Sequence, residues 1–180
     1  KSNLKCDRII VISSTSASTK LNSKDKWERD YARKFLIAEK EIAKLCIDLK
    51  IKLLIIRPTM IWGRKSDLNV SFLMKFIVNY GLLILPSFGS GIRYPIHVNQ
   101  LAKSIKDLSN EVEVGVFNVL GPQKISYLNM CKEIFLWFEF KPIILKIPSF
   151  FYGFIIFISK NLFKKKYINK ESFLRIDYSP

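Results

Sequence analysis

Arg8-Ile9-Ile10-Val11-Ile12-Ser13-Ser14-Thr15-Ser16 is an apolar, β-branched run that closes on a string of hydroxyl residues. So short a run, so rich in isoleucine, reads as a strand buried on both faces of a parallel sheet. Its hydroxyls then stand at the carboxyl end, where open α/β sheets place their chemistry. Downstream the period changes. After a polar loop over 20–26, Phe35, Ala38, Ile42, Leu45 and Leu49 recur at helical spacing with Glu and Lys on the other face, predicting a long amphipathic helix. Residues 52–56 repeat the strand pattern, stopped at Pro58, which lacks an amide donor and disfavours helix at the residue before it. Helices are expected over 70–78, 99–108 (with Asn99 as N-cap) and 126–138, a strand over 115–120, and turns over 81–86 and at Gly121-Pro122. Strands alternating with helices predict an α/β fold built on parallel strands.

At 180 residues and 49% hydrophobic content the chain has enough apolar surface for a core, which excludes a mainly disordered protein. Thirty basic against 15 acidic residues give a net charge of +15, a balance that suits nucleic acid, an anionic membrane or an anionic metabolite. The lysines are dispersed, and neither an aromatic RNA-binding motif nor a zinc-finger spacing occurs, so no nucleic-acid partner and no metal are expected. Cys6, Cys46 and Cys131 stand too far apart in sequence for a disulfide framework or a CxxC clip, which predicts reduced thiols, with Cys46 buried in the long helix. The apolar stretch 143–163 is interrupted by Lys146, Pro148 and Gly153, and its longest uncharged part falls short of the roughly 20 residues a bilayer requires. It reads as a buried or interfacial helix of a C-terminal lobe, with peripheral membrane contact through 150–163 and the lysines at 164–166 as the alternative.

A second motif bears on function. In Gly89-Ser90-Gly91-Ile92-Arg93-Tyr94-Pro95-Ile96-His97 the glycines allow a tight turn and Arg93 offers a planar fork of donors. A helix starting near Asn99 would add its positive N-terminus, so the segment suits an anion such as a diphosphate. His97 is expected to pack under that helix rather than to act on a ligand.

Four motifs occur in order: Ser13-Ser14-Thr15; Tyr31 followed by Ala38-Glu39-Lys40; Arg57-Pro58-Thr59-Met60-Ile61-Trp62-Gly63; and the Arg93 to His97 segment. Together they resemble the extended short-chain dehydrogenase/reductase superfamily, in its NAD-dependent epimerase/dehydratase group acting on nucleotide sugars, over about residues 8–133. The resemblance implies a partial Rossmann-type parallel sheet with a small C-terminal substrate lobe. Residues 1–65 would be the C-terminal part of an NAD(P)-binding domain, and 66–180 a substrate lobe with returning Rossmann elements. It also implies NAD or NADP as cofactor, a nucleotide-sugar substrate, a cytoplasmic setting and a homodimer. The activity implied is that of an epimerase, dehydratase or keto-reductase serving polysaccharide or glycoconjugate synthesis.

By the same resemblance Thr15 orients the reacting oxygen and Tyr31 exchanges the proton, an ordinary helix tyrosine being its other reading, while Lys34, off the family position, is the lysine whose flexible stem could lean toward it. Ser13, Pro58, Thr59 and Ile61 face the cofactor, and Asn69 and Arg93 face the substrate, Asn69 having a helix cap as its other reading. A phenol titrates near ~10 and becomes a useful acid/base at neutral pH only beside positive charge. Here the chain departs from the pattern. Phe35 stands where the lysine four residues after the tyrosine belongs, and Lys34 is displaced by about 100° around the helix. Met60 stands where many relatives carry asparagine. The seven glycines are scattered, the first being Gly63, with no glycine-rich cofactor turn. The expectation is a C-terminal portion of a longer enzyme; the alternative is a non-catalytic relative or a truncated, inactive product.

Overall fold

The structure is a computed structural model and describes residues 6–63, 67, 69–85, 88–147, 151 and 176. In chain order the elements are β1 (Arg8–Ile12), α1 (Ser16–Thr19), α2 (Lys26–Asp48), β2 (Lys52–Pro58), β3 (Ile61–Trp62), α3 (Val70–Tyr80) and β4 (Leu83–Leu85). There follow β5 (Ile92–Arg93), β6 (Ile96–His97), α4 (Val98–Glu111), β7 (Gly115–Val119), β8 (Ile125–Ser126), α5 (Tyr127–Trp137) and β9 (Ile144–Lys146). The fold is α/β with parallel strands, as the alternation implies. The chain divides into two compact units, Lys1–Gly63 with Pro95–Pro122, and Arg64–Tyr94 with Gln123–Pro180.

In the first unit β1, β2 and β7 form a parallel sheet in the order β1-β2-β7, with Ile10 beside Leu54 and Leu54 beside Gly115. Alternation then sorts side chains between two faces. Leu54, Ile56 and Val119 share one face and form a core cluster with Ile96 and Leu101, against which Ile105 and Leu108 of α4 pack. Leu53, Ile55 and Arg57 point to the other face, where α2 lies. α2 starts at Asp25, whose carboxylate accepts from the amides of Trp27 and Glu28, a capping arrangement that also suits the helix dipole.

The buried stripe of α2 runs through Ala32, Glu39 and Cys46. This corrects the expected apolar face: Ala38 is exposed, and Leu45 and Leu49 are 59% and 66% exposed. The helix is turned so that a carboxylate points inward, which a count of apolar residues cannot anticipate.

The N-cap of α4 is His97, not Asn99. Its Nδ1 accepts from the Asn99 amide at 3.2 Å, while the Gln100 side chain accepts from the His97 amide. That reciprocal pair is a capping box with imidazole in place of hydroxyl, and it requires the neutral ring. His97 also packs edge-on to Trp62, its neighbour across the β3–β6 pair, at 4.8 Å between centroids.

In the second unit α3 and α5 pack together and bury Val70, Leu73 and Ile77 with Met130, Cys131, Ile134 and Phe135. Two short strand pairs complete it: β4 with β9, parallel, and β5 with β8, antiparallel. The expected turn over 81–86 therefore contains a strand, preceded by Gly81 in the left-handed conformation that ends α3. The stretch expected as a helix from 143 opens instead with β9, because Leu83 to Leu85 offers it a backbone edge. Nearly all the remainder, including the lysines at 164–166, lies outside the described residues. No described helix is long and apolar enough to cross a membrane. The three cysteines are free, Cys46 and Cys131 buried as small apolar groups.

Gly63 adopts φ +108°, and a Cβ there would lie 2.4 Å from His97 Nε2. Gly63→Ala is expected to lower stability by about 2 kcal/mol or more, from backbone strain plus the clash. In a His97→Asn background, which keeps a capping side chain, part of that cost should vanish. Urea unfolding of the four proteins reads both; an equal cost in the two backgrounds would mean that the ring is not what Gly63 accommodates.

Candidate functional site

The main-chain ladder of the sheet continues past the strands at their carboxyl ends. Ser13 N–H donates to Ile56 O at 2.7 Å, Thr15 N–H to Pro58 O at 3.1 Å, and Thr59 N–H to Val119 O at 3.0 Å. This brings Thr15, Pro58 and Thr59 together at the end of the sheet where α/β proteins bind ligands. Their hydroxyl protons are engaged locally: Thr15 Oγ1 donates to Pro58 O at 3.3 Å, and Thr59 Oγ1 accepts from Gly121 N–H at 3.3 Å and sits 3.5 Å from Val119 O. A hydroxyl that donates to a carbonyl still offers lone pairs. To donate to a ligand oxygen, Thr15 must rotate away from Pro58.

Ser13 is engaged more tightly. Its hydroxyl donates to Glu39 Oε1, and Arg57 meets the same carboxylate through Nε at 3.0 Å on Oε1 and through Nη2 on Oε2. Both side chains of the ion pair are largely buried. Hydrogen bonds from Arg57 hold the Glu39 carboxyl below its ordinary range; burial opposes this, and Ser13 adds to it. Arg57 is held correspondingly high by Glu39. Of the other residues assigned to the cofactor, Ile61 pairs with Ile96 and packs against the core cluster.

Tyr31 lies on α2, 41% exposed, between two aromatic rings. Trp27 stacks on it at 5.2 Å and 13°, and Phe35 meets it edge-on at 4.9 Å and 85°. The position that the resemblance gives to an ammonium group thus presents a hydrocarbon edge to the tyrosine. Lys34 is exposed.

The second unit holds Asn69 and Arg93. Asn69 is exposed and its side chain makes no capping bond. The capping role belongs to Asp67, whose carboxylate accepts from the amides of Asn69 and Ser71 and from the Ser71 hydroxyl. Arg93 is half-buried on β5; Nη1 donates to Ile92 O at 2.7 Å, and the guanidinium carbon lies 5.7 Å from the centre of the Tyr127 ring. The glycine loop before Arg93 closes on the start of α5. Gly91 O accepts from Tyr127 N–H and Gly89 O from Leu128 N–H, both at 2.9 Å, while Ser126 Oγ accepts from Asn129 N–H. Gly89 at φ +67° is required there, since a Cβ would lie 2.9 Å from Leu128 Cβ. The first amides of α5 are therefore satisfied by the chain itself.

Sequence reasoning missed two features: the Ser13–Glu39–Arg57 cluster and the ring under Arg93. The first had a signal in Ala38-Glu39 and Arg57-Pro58, quoted as separate motifs but not as a pair. Among the described residues no group of three or more His, Cys, Asp or Glu side chains is arranged to hold a metal ion.

The fold is a Rossmann-type α/β fold, and it is similar to that of solved UDP-sugar 4-epimerases and dTDP-glucose 4,6-dehydratases. A UDP-glucuronic acid 4-epimerase from Bacillus cereus, solved with UDP-glucuronic acid and NAD, aligns with 98% of this chain and 62% of its own at 16% identity and a TM-score of 0.66. A UDP-N-acetylglucosamine 4-epimerase from Methanobrevibacter ruminantium M1, solved with UDP-N-acetylmuramic acid, aligns with 78% of this chain and 49% of its own, at 19% identity and a TM-score of 0.62. A dTDP-glucose 4,6-dehydratase from Bacillus anthracis, solved with NAD, aligns with 78% and 49%, at 14% identity and a TM-score of 0.60. The chain spans about half the length of several of the solved structures that it matches. No protein family and no curated protein matches it by sequence.

The lowered Glu39 carboxyl makes an acid-sensitivity prediction. A carboxyl held lower in the native state than in the unfolded chain stabilises fully above the ordinary range near ~4.3, and the contribution is lost as pH falls through the native value. Glu39→Gln should cost about 1.5–3 kcal/mol at neutral pH, the worth of hydrogen bonds to a charged group. The wild-type advantage should shrink below about pH 4. Denaturant midpoints from pH 7 to pH 3 measure this; a constant difference across that range would show that the charge on Glu39 is not what stabilises.

Proposed function

We propose that the chain contributes the sugar-nucleotide side of an NAD(P)-dependent epimerase, dehydratase or keto-reductase, cytoplasmic and serving polysaccharide or glycoconjugate synthesis. The observation that carries this reading is the gathering of Thr15, Pro58 and Thr59 at the carboxyl ends of parallel strands, in a fold shared with enzymes of that chemistry. The fit to a dinucleotide is to its nicotinamide end: Pro58 and Thr59 offer a carbonyl edge and a hydroxyl, whereas no glycine-rich turn for the pyrophosphate occurs in this sequence. NAD(P), when bound, accepts or donates a hydride at a sugar carbon. Thr15 orients the sugar oxygen at that carbon once its hydroxyl leaves Pro58. Tyr31 exchanges the hydroxyl proton, with Lys34 as the nearest lysine in sequence to assist it. Arg93 holds the nucleotide diphosphate through charge-assisted hydrogen bonds, and Asn69 contributes a polar contact. A homodimer of such subunits follows the same resemblance.

A second reading has its own support. The edge of Phe35 on the Tyr31 ring, where an ammonium would favour phenolate, suits a relative that binds nucleotide sugars without transforming them.

Calorimetric titration of the chain, with whatever native sequence adjoins it, against NAD(H), NADP(H) and a panel of UDP- and dTDP-sugars tests the proposal. Cofactor binding strengthened by one sugar nucleotide is the expected result, and a folded protein that binds none of them would end both readings. For a catalytic tyrosine, Tyr31→Phe lowers kcat by on the order of 10²-fold. Phe35→Lys restoring or raising turnover would favour the enzyme reading; sugar-nucleotide binding with no turnover in either form would favour the second.

A further inference from the structure

Two stripes run along α2, and only one of them faces inward. Ala32, Glu39 and Cys46 are buried. About 80° further round, on a helix of 3.6 residues per turn, stand Tyr31, Phe35, Ala38, Ile42, Leu45 and Leu49. This second stripe advances by four and three residues in alternation, which is the spacing of a coiled-coil seam. Its members lie outward: Tyr31, Leu45 and Leu49 are 41%, 59% and 66% exposed, Ala38 is exposed, and Phe35 and Ile42 are half-buried. The helix thus keeps an apolar seam at the surface along most of its 23 residues.

The flank beside the seam is charged, and the order of its charges is antisymmetric. From the start of the helix it reads Lys26, Asp30, Lys34, Glu41, Lys44 and Asp48, all within about 80° of one another, with Ile37 at the midpoint. Lys26 mirrors Asp48, Asp30 mirrors Lys44 and Lys34 mirrors Glu41, so each charge has its opposite at the mirrored place. Asp30 also meets Arg33 of its own helix at 3.3 Å. Two antiparallel copies of a helix related by a two-fold axis bring like flank to like flank, and here that sets every charge of the band beside its opposite. In the same register Tyr31 of one copy enters between Ile42 and Leu45 of the other, Phe35 between Ala38 and Ile42, and Ala38 between Phe35 and Ala38, as knobs enter holes. A parallel pair would set the charged flank against the sheet-facing side of the other copy and leave its charges unopposed.

We propose that α2 is a self-association surface, on which two copies of this chain pair their outward stripes antiparallel about Ile37. Burial of the seam supplies the affinity, while exposed ion pairs, weak one by one, select the orientation and register. This goes beyond the homodimer that the resemblance implied, because it assigns the surface, and it uses none of the chemistry at the strand ends. It puts the Tyr31 ring into the seam, which accords with the second reading of that residue given above.

Sedimentation velocity over a concentration series tests the proposal, on the chain with whatever native sequence adjoins it and with no nucleotide added, so the result is independent of sugar-nucleotide binding. Wild type should dimerise. Leu45→Asp should weaken self-association by on the order of 30-fold or more, the scale of a central interface side chain. Lys34→Glu and Glu41→Lys should each weaken it about three- to ten-fold, since the symmetric contact occurs twice. The double variant Lys34→Glu/Glu41→Lys restores both pairs with the charges exchanged and should return to within about two-fold of wild type. Urea midpoints of the monomeric forms report on folding, and these exposed substitutions should leave them unchanged. A folded wild type that stays monomeric overturns the proposal, and if Leu45→Asp then also lowers the urea midpoint, another part of the same chain covers the stripe. A dimer that is indifferent to Leu45→Asp forms elsewhere, and a double variant weaker than either single one refutes the antiparallel register.

Discussion

The carboxylate of Glu39 ties together parts of the chain that nothing local would bring into register. Largely buried, it receives the Arg57 fork and the Ser13 hydroxyl, which join the middle of α2 to the ends of β2 and β1. Burying a charge is costly unless hydrogen bonds replace the lost water, and three donors on two oxygens do that here. Because the donors come from two adjacent parallel strands, the contact fixes both the rotation of α2 and its position along the sheet. The aromatic row of Trp27, Tyr31 and Phe35 and the outward placement of Leu45 and Leu49 follow from that rotation.

The same contact limits what the strand ends can offer a ligand. Ser13 stands where a hydroxyl facing a cofactor was expected, yet its proton belongs to Glu39. Thr15 and Thr59 keep acceptor capacity while bonded to the backbone of the neighbouring strand ends. The strand-end cluster is thus an acceptor-rich edge, and release of Thr15 from Pro58 O or of Thr59 from Val119 O would turn that hydroxyl into a donor. Tyr31, flanked by the rings of Trp27 and Phe35, is the point at which the local chemistry departs furthest from the pattern that its neighbours in sequence suggest.

The second unit solves a different problem with similar means. A glycine loop that seemed made to expose amides to an anion instead uses its carbonyls to finish the start of α5. Beside it stands Arg93, whose Nη1 donates to Ile92 O and whose guanidinium carbon lies over the Tyr127 ring. The glycine at 89 serves close backbone approach to Leu128, as Gly63 serves approach to the His97 ring. In both places the missing side chain lets two segments far apart in sequence meet.

By itself the sequence determined the local elements: β-branched runs that had to be strands, helical periods, proline stops, thiols too scattered to pair and hydroxyls at a strand end; the burial expected of the first run does not hold, since Ile10 and Ile12 are 38% and 57% exposed. Those elements depend on neighbours within a few residues, and periodicity records them. Only the tertiary structure decided which face of α2 turns inward, that His97 and Asp67 rather than Asn99 and Asn69 cap their helices, that 83–85 finds a strand partner at 144–146, and that Tyr127 lies under Arg93. Caps are settled by which of several nearby polar groups reaches the amides once the chain has bent. The other contacts join residues tens of positions apart, which are brought together by strand order and register, and no local pattern of polarity encodes those.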